Sequence, residues 1–204
     1  MTPLIRTWTL CLLLVSGGAG AAAPTPTETV HVAVDRVFGV LRQPDLSQSQ
    51  RWSDIGAIIN ERFDFRSMSQ SVLATSWKEA STEEKRQFVE YFSQYLEDTY
   101  RNRIESIASS RVEYLGEQVR NDRATVDTLV VTPERRVPIT YRLKNNDGQW
   151  MAYDVVIDGD SLVNNYRDTF SAIVKAGGMD GLLTDLEGRI ANYKQKHGAG
   201  AAGK

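Results

Sequence analysis

After Ile107 the spacing of apolar residues changes from 3.6 to 2. It stays at 2 through four successive segments, "RVEYLGEQV", "ATVDTLVVT", "RVPITYRLK" and "QWMAYDVVI". In the third, Val137, Ile139, Tyr141 and Leu143 share one face while Pro138, Thr140, Arg142 and Lys144 share the other. Asn145-Asn146-Asp147-Gly148 has the chemistry of a tight turn, and Tyr153, Val155 and Ile157 are expected to continue the apolar face on the return strand. Four strands joined in this way make an antiparallel meander. A meander with one apolar face needs a second layer to cover it.

The flanking segments supply that layer. Val34, Val37, Phe38 and Leu41 keep the i, i+3, i+4, i+7 spacing of an amphipathic helix. A second helix is expected over Ser49 to Ile59 and a short third over Ser67 to Thr75. The longest should run from Thr82 to about Ile107, because Ser81 followed three residues later by Glu84 forms a capping box. Its apolar stripe is wide and aromatic: Phe88, Phe92, Tyr95, Leu96, Tyr100, Ile104 and Ile107. Beyond the strands, a helix carrying Leu162, Val163, Tyr166, Phe170, Ile173 and Val174 is expected to stop at Gly177-Gly178. A last one, capped near Asp180, carries Leu182, Leu183, Leu186 and Ile190. The expected class is α+β, with N-terminal helices and one long aromatic helix packed on a curved, cone-like, four-stranded antiparallel sheet and C-terminal helices closing it. Such layers can meet in a solid core or leave a cavity, and the pattern alone fits both. For any single aromatic on such a stripe, core is the commoner outcome.

The first residues read as an export signal. "MTPLIRTWTLCLLLVSGGAGAAA" has one positive charge (Arg6), an apolar run from Trp8 to Val15 and then small residues, with Ala19-Gly20-Ala21 as a suitable cleavage site. The run is well short of the ~20 residues a membrane span needs. Cys11 lies inside it behind Trp8-Thr9-Leu10, which is not a lipoprotein pattern. The expected organisation is a signal peptide over 1–21, a Pro/Thr linker over 22–29, one domain over 30–194 and a disordered, low-complexity tail over 195–204. Cleavage removes the only cysteine, so the exported domain has no disulfide and no thiol, and must be held by its own core.

The inventory for chemistry is thin. A net charge of −2 without a basic stripe gives no reason to expect a nucleic-acid partner. The two histidines, His31 and His197, stand beside no nucleophile and in no ligand spacing, so no catalytic or metal residue is assigned. Asp158 and Asp160 in "IDGDS" read as turn and helix-capping residues.

Two long stretches carry a family resemblance: "FDFRSMSQSVLATSWKEASTEEKRQFVEYFSQYLEDTY" and "GQWMAYDVVIDGDSLVNNYRDTFSAIVKAGGMDGLL". Phe63-Asp64-Phe65, Trp77, Ser81 with Phe88 and Phe92, Thr99-Tyr100, Trp150, Tyr153-Asp154-Val155, Gly159, Ser161-Leu162, Tyr166-Arg167, Phe170 and Gly181-Leu182 appear in the order that the MlaC (toluene-tolerance auxiliary) family shows. The set spans about residues 30–190. Asp160 departs from the family pattern, in which an apolar residue precedes the serine. The resemblance implies a soluble periplasmic carrier that binds glycerophospholipid as cargo, acyl chains inward, between sheet and helices, with no cofactor. It also implies two partners, an outer-membrane lipoprotein complex and an inner-membrane ABC transporter complex carrying an MCE-domain protein, in a pathway that maintains outer-membrane lipid asymmetry.

On this reading the candidate pocket wall is Phe88, Phe92, Tyr95, Leu96 and Tyr100 of the long helix with Val137, Ile139, Tyr141, Leu143, Tyr153, Val155 and Ile157 of the sheet. Arg142 or Arg167 is a candidate for a headgroup at the mouth. Three other readings stand beside it. One is a carrier of a different lipid such as a hopanoid. Another is an enzyme of the ketosteroid-isomerase sort using a buried Asp127 or Asp154 with a tyrosine. The third is a lipid-free adaptor that docks a partner on an apolar surface.

Overall fold

The computed structural model describes residues 23–198, so the expected signal peptide and the end of the tail lie outside the described residues. Helix α1, Pro26–Leu41, begins earlier than expected. Thr25 caps it, with the Thr25 amide donating to Glu28 Oε2 (2.7 Å) and the Glu28 amide donating to Thr25 Oγ1 (3.1 Å). The stretch "TPTE" is therefore a capping box with proline at the first helical position, and the second half of the expected linker, 26–29, is the first turn of α1.

Helix α2, Gln48–Arg62, is capped by Ser47 and runs three residues beyond the expected Ile59. Helix α3, Phe65–Leu73, takes Asp64 as its cap, and a five-residue helix α4, Thr75–Glu79, follows a turn at Ala74 (φ 50°). Helix α5, Thr82–Ser106, starts at the expected capping box.

The sheet follows as β1 Arg111–Arg120, β2 Arg123–Val131, β3 Arg136–Asn146, β4 Gln149–Ile157 and β5 Asp160–Ser161, all antiparallel and in sequence order. The fifth strand corrects the expected four. Asp158 and Gly159, both at positive φ, turn the chain tightly enough for Asp160 and Ser161 to pair with Val156 and Ile157. Ser161 then caps helix α6, Leu162–Gly198, its Oγ accepting from the Asn164 amide at 3.2 Å. Gly178 (φ 69°, ψ −168°) breaks α6 into two arms where the two-glycine stop was expected. The second arm is helical through residues 195–198, which the sequence assigned to the tail.

Packing divides the molecule into a solid end and an open one. At the solid end α3, α4, the first half of α5 and both arms of α6 share a core of Met68, Val72, Trp77, Phe88, Phe92, Phe170, Leu182 and Leu186. At the other end α1 lies over β1 and β2, with Val30 packed among Ala124, Val126, Leu143 and Trp150. A third cluster of Leu41, Trp52 and Ile55 ties α1 to α2 and reaches Ile104 on α5. The chain from α2 to α3 is pinned to the sheet where the Asp64 amide donates to the Ala152 carbonyl (2.8 Å).

Candidate functional site

The inward row of the sheet is set by register: Ala124 faces Leu143, Val126 faces Tyr141 and Thr128 faces Ile139, while Ile139 and Tyr141 face Ile157 and Val155 on the other side. Ala124, Val126, Thr128, Leu143 and Val155 are buried, but Ile139 and Tyr141 are only half-buried although they stand mid-sheet. The second half of α5 does not close on them. Near its end Ile104 packs on the Leu41, Trp52 and Ile55 cluster and Glu105 accepts from Trp52 Nε1 (2.7 Å), and between this half and the sheet lies a gap.

That gap is a cavity in two lobes. One, of about 170 Å³, lies under α1 and is walled by Val30, Val34, Val37, Phe38, Ile58, Arg62, Val112, Val130, Leu143 and Ala152. The other, of about 360 Å³, lies under α5 and is walled by Phe65, Met68, Leu96, Tyr100, Val155, Ile157 and Leu162, with Asn60, Glu90, Ser93, Gln94 and Glu97 also on it. Ile59, Phe63, Ile104, Ile107, Ile139 and Tyr141 line both, so the lobes meet at a neck. The larger lobe alone falls within the roughly 300–1,000 Å³ usual for small-molecule sites.

Its electrostatics suit an apolar guest. Burial pushes the Tyr141 phenol up to about 12, so it stays a neutral hydroxyl at any physiological pH. Burial likewise raises the Tyr100 hydroxyl. At Glu97, burial pushes the carboxyl up and Arg101, whose Nη2 is 3.1 Å from Glu97 Oε1, offsets this only in part. Asp64, next in the chain to the neck residue Phe63, behaves oppositely. Burial alone would raise it, but the Ser67 hydroxyl and amide and the Asn146 amide donate to its carboxylate and hold it below the usual range.

Of the twelve candidate wall residues, the cavity brings together Leu96, Tyr100, Ile139, Tyr141, Leu143, Val155 and Ile157. The other five line neither lobe. Phe88, Phe92 and Tyr95 belong to the solid end, where Phe92 stacks on Phe88 (5.5 Å between centroids) and meets Tyr166 (5.4 Å) and Phe170 (5.8 Å) edge-on. A stripe as wide as that of α5 faces two ways, and its N-terminal half faces α6. Val137 is buried near the start of β3, opposite Val130.

Tyr153 is displaced by a bulge. Arg142 pairs with Asp154 and Leu143 with Ala152, which leaves Tyr153 as the extra residue, lying 4.9 Å beneath the Arg123 guanidinium. The inward phase of β4 therefore runs Trp150, Ala152, Val155, Ile157 rather than by strict alternation.

The polar candidates are otherwise engaged. Arg142 binds Asp154 Oδ2 at 2.9 Å, and Arg167 donates its Nε to the Ser71 carbonyl at 2.9 Å; neither lines the cavity. Asp154, 2% exposed, also accepts from Ser161 Oγ (2.7 Å) and the Val163 amide (3.1 Å), and so fastens the start of α6 to β4. Asp127 accepts from the Thr140 hydroxyl. His31 packs edge-on to Tyr114, and His197 stacks on Tyr193. Among the described residues no cluster of three metal-ligating side chains occurs, and no helix is long and apolar enough to cross a membrane.

Residues that the sequence did not assign to the site come mostly from α1 and α2: Val30, Ala33, Val34, Val37, Phe38, Ile58, Ile59, Arg62 and Phe63. Their helical spacing was visible, at least for α1, but not which layer it faced.

Fold and cavity together define a class: an α+β protein whose helices stand off a curved antiparallel sheet and leave an apolar chamber between the layers. The family described as MlaC protein matches residues 31–188, and the chain belongs to that family. Among curated relatives, the intermembrane phospholipid transport system binding protein MlaC of Haemophilus influenzae is 23% identical over 57% of each chain. The toluene tolerance protein ttg2D of Pseudomonas putida is 24% identical over 69% of this chain and 68% of that protein. The chain thus spans somewhat over half the length of the first relative and about two thirds of the second. Among solved structures, a phospholipid-binding protein of Ralstonia solanacearum in complex with a phospholipid superposes with a TM-score of 0.76 at 27% identity, over 85% of this chain and 99% of that one.

Proposed function

We propose that this chain is a periplasmic carrier of glycerophospholipid that holds acyl chains in the two-lobed cavity and passes them between an outer-membrane complex and an inner-membrane transporter complex. The observation that carries the reading is the chamber itself, mainly apolar in its walls and leaving Ile139 and Tyr141 only partly buried in mid-sheet where a closed core would bury them. The phospholipid bound by the Ralstonia solanacearum relative supports it.

Burying a methylene is worth about 0.8 kcal/mol, so a sixteen-carbon chain gains on the order of 12 kcal/mol on leaving water. Crossing an aqueous space unaided is correspondingly slow, and a carrier has only to offer a wall as apolar as a membrane. No bond is made or broken, and no turnover is expected. Asp127 and Asp154, the carboxylates an isomerase-like reading would use, are spent on Thr140, Arg142, Ser161 and the start of α6.

Native mass spectrometry of the mature protein, purified from cells in gentle detergent-free buffer, tests the reading. Adducts with phospholipid masses are expected. Protein that is empty as isolated and takes up no phospholipid from vesicles would sink it, and an adduct of hopanoid mass would reassign the cargo.

A further inference from the structure

The walls of both lobes contain a single cation, Arg62, the last residue of α2. Its Nε is buried and has no hydrogen-bond partner among the described residues, nor does the guanidinium make an ion pair there. The Nε atoms of Arg51 and Arg101 are also buried without a partner, but their Nη2 atoms donate to the Gln43 carbonyl and to Glu97, whereas no nitrogen of the Arg62 guanidinium has a hydrogen bond among the described residues. A positive charge at a helix C-terminus is favoured by the helix dipole, which accounts for a basic residue at this position. It does not account for a donor of a charged group turned into an apolar wall and left unpaired, an arrangement that is costly unless an acceptor arrives. The acceptor that fits a planar guanidinium is an oxyanion, a phosphate or a carboxylate.

The opposite wall narrows the choice of position. Glu90 and Glu97 on the α5 lobe are already paired with Arg86 and Arg101, and that lobe has no cation in its wall, so among the described lining residues the cation open to an anion is Arg62 on the α1 lobe.

We propose that Arg62 is the specificity-determining residue of the chamber, taking the anionic group of an amphipathic lipid, phosphate or carboxylate, while the chains fill the apolar lobes. This rests on the reading that the chamber holds lipid. It adds that the chamber selects acidic amphiphiles over neutral ones with the same tails.

The test uses mature protein stripped of lipid and refolded, as wild type, Arg62→Met and Arg62→Lys, titrated with three probes: dioleoyl phosphatidylglycerol, dioleoylglycerol and oleate. The first two share their tails and differ in the phosphate. Arg62→Met should weaken phosphatidylglycerol binding at least tenfold and leave dioleoylglycerol within twofold of wild type, with Arg62→Lys between them. A loss confined to oleate would keep the site and assign the anion as a carboxylate. Equal losses for phosphatidylglycerol and dioleoylglycerol, or no loss for either anion, would overturn the proposal. If Arg62→Met does not fold, the Arg62→Lys comparison decides, because only a bidentate site distinguishes the two cations. Wild type that binds oleate through Arg62 but no phospholipid refutes the phospholipid carrier and leaves this site standing. Wild type that binds none of the three refutes both.

Discussion

Ile139 and Phe92 are alike in the sequence, each a large apolar residue on the apolar face of its element, yet they have different jobs. Ile139 sits at the neck where both lobes meet, and Phe92 is fully buried among Phe88, Tyr166 and Phe170. Ile139→Asp should therefore yield folded protein without copurified lipid, because the aromatic core does not include it. Phe92→Ala should keep its lipid but lose about 3–5 kcal/mol of stability in urea denaturation. The reverse pairing of outcomes would mean the wall is misassigned.

Asp98 offers a pH test. It is 5% exposed, and its Oδ2 has no partner among the described residues. Burial pushes its carboxyl above the ordinary 3.8, and Arg101 (3.7 Å) and Gln94 (3.4 Å) offset this only in part. A carboxyl raised in the folded state binds its proton more tightly there than in the unfolded chain. Its penalty is complete above the raised pKa and fades as pH falls from there toward 3.8. Wild type should thus gain stability relative to Asp98→Asn as pH is lowered from 7.5 to 4.5, read as urea midpoints. A difference that does not move with pH would contradict the assignment.

Elements are set here by short local signals and bent by single residues. The boxes Thr25–Glu28 and Ser81–Glu84 start α1 and α5 by satisfying amides that the first helical turn leaves free. Gly178 ends the first arm of α6 with φ 69° and ψ −168°, a region open essentially to glycine alone. A Cβ added there would meet no atom within 4 Å, so the cost of Gly178→Ala is backbone strain and nothing else. We expect about 1–3 kcal/mol of destabilisation, measured by chemical denaturation. A neutral substitution would mean that the two arms can straighten into one helix without loss, and that Met179, Leu182 and Leu186 do not depend on the bend for their burial.

The molecule as assembled is stable at one end and accommodating at the other. The α3–α5–α6 core is filled by its own side chains, while α1, α2, β3 and the second half of α5 surround the chamber. Lipid bound to the folded state adds stability in proportion to its affinity, and that gain should fall on the elements that touch it. Hydrogen exchange followed by mass spectrometry should show α1, α2 and the segment around Tyr100 to Ile107 exchanging faster after lipid is stripped, with α4 and the second arm of α6, which line neither lobe, unchanged. Uniform loosening of the whole chain would show that the chamber and the helical core open as one unit. Release of lipid would then require more than movement of the walls.

The α+β class, the meander, the start of α5 and the break at Gly178 were legible along the chain, because each follows from local periodicity, capping or a backbone that only glycine adopts. Part of the site was legible too. Ile139, Tyr141 and Leu143 lie on one phase of an uninterrupted strand, and register carries that phase directly to the chamber. Tyr153 was not, since one extra residue in β4 reverses the phase and no composition marks where a bulge will fall. The division of α5, with Phe88 and Phe92 in the core and Leu96 and Tyr100 on the chamber, depends on which neighbours its two halves meet. So does the role of α1 and α2: an amphipathic face states that it must be covered, and not by what. Whether sheet and helices touch or stand apart is a matter of distance between layers. Distances between layers are set by long-range packing, so the chamber, and Arg62 within its wall, emerged only in three dimensions.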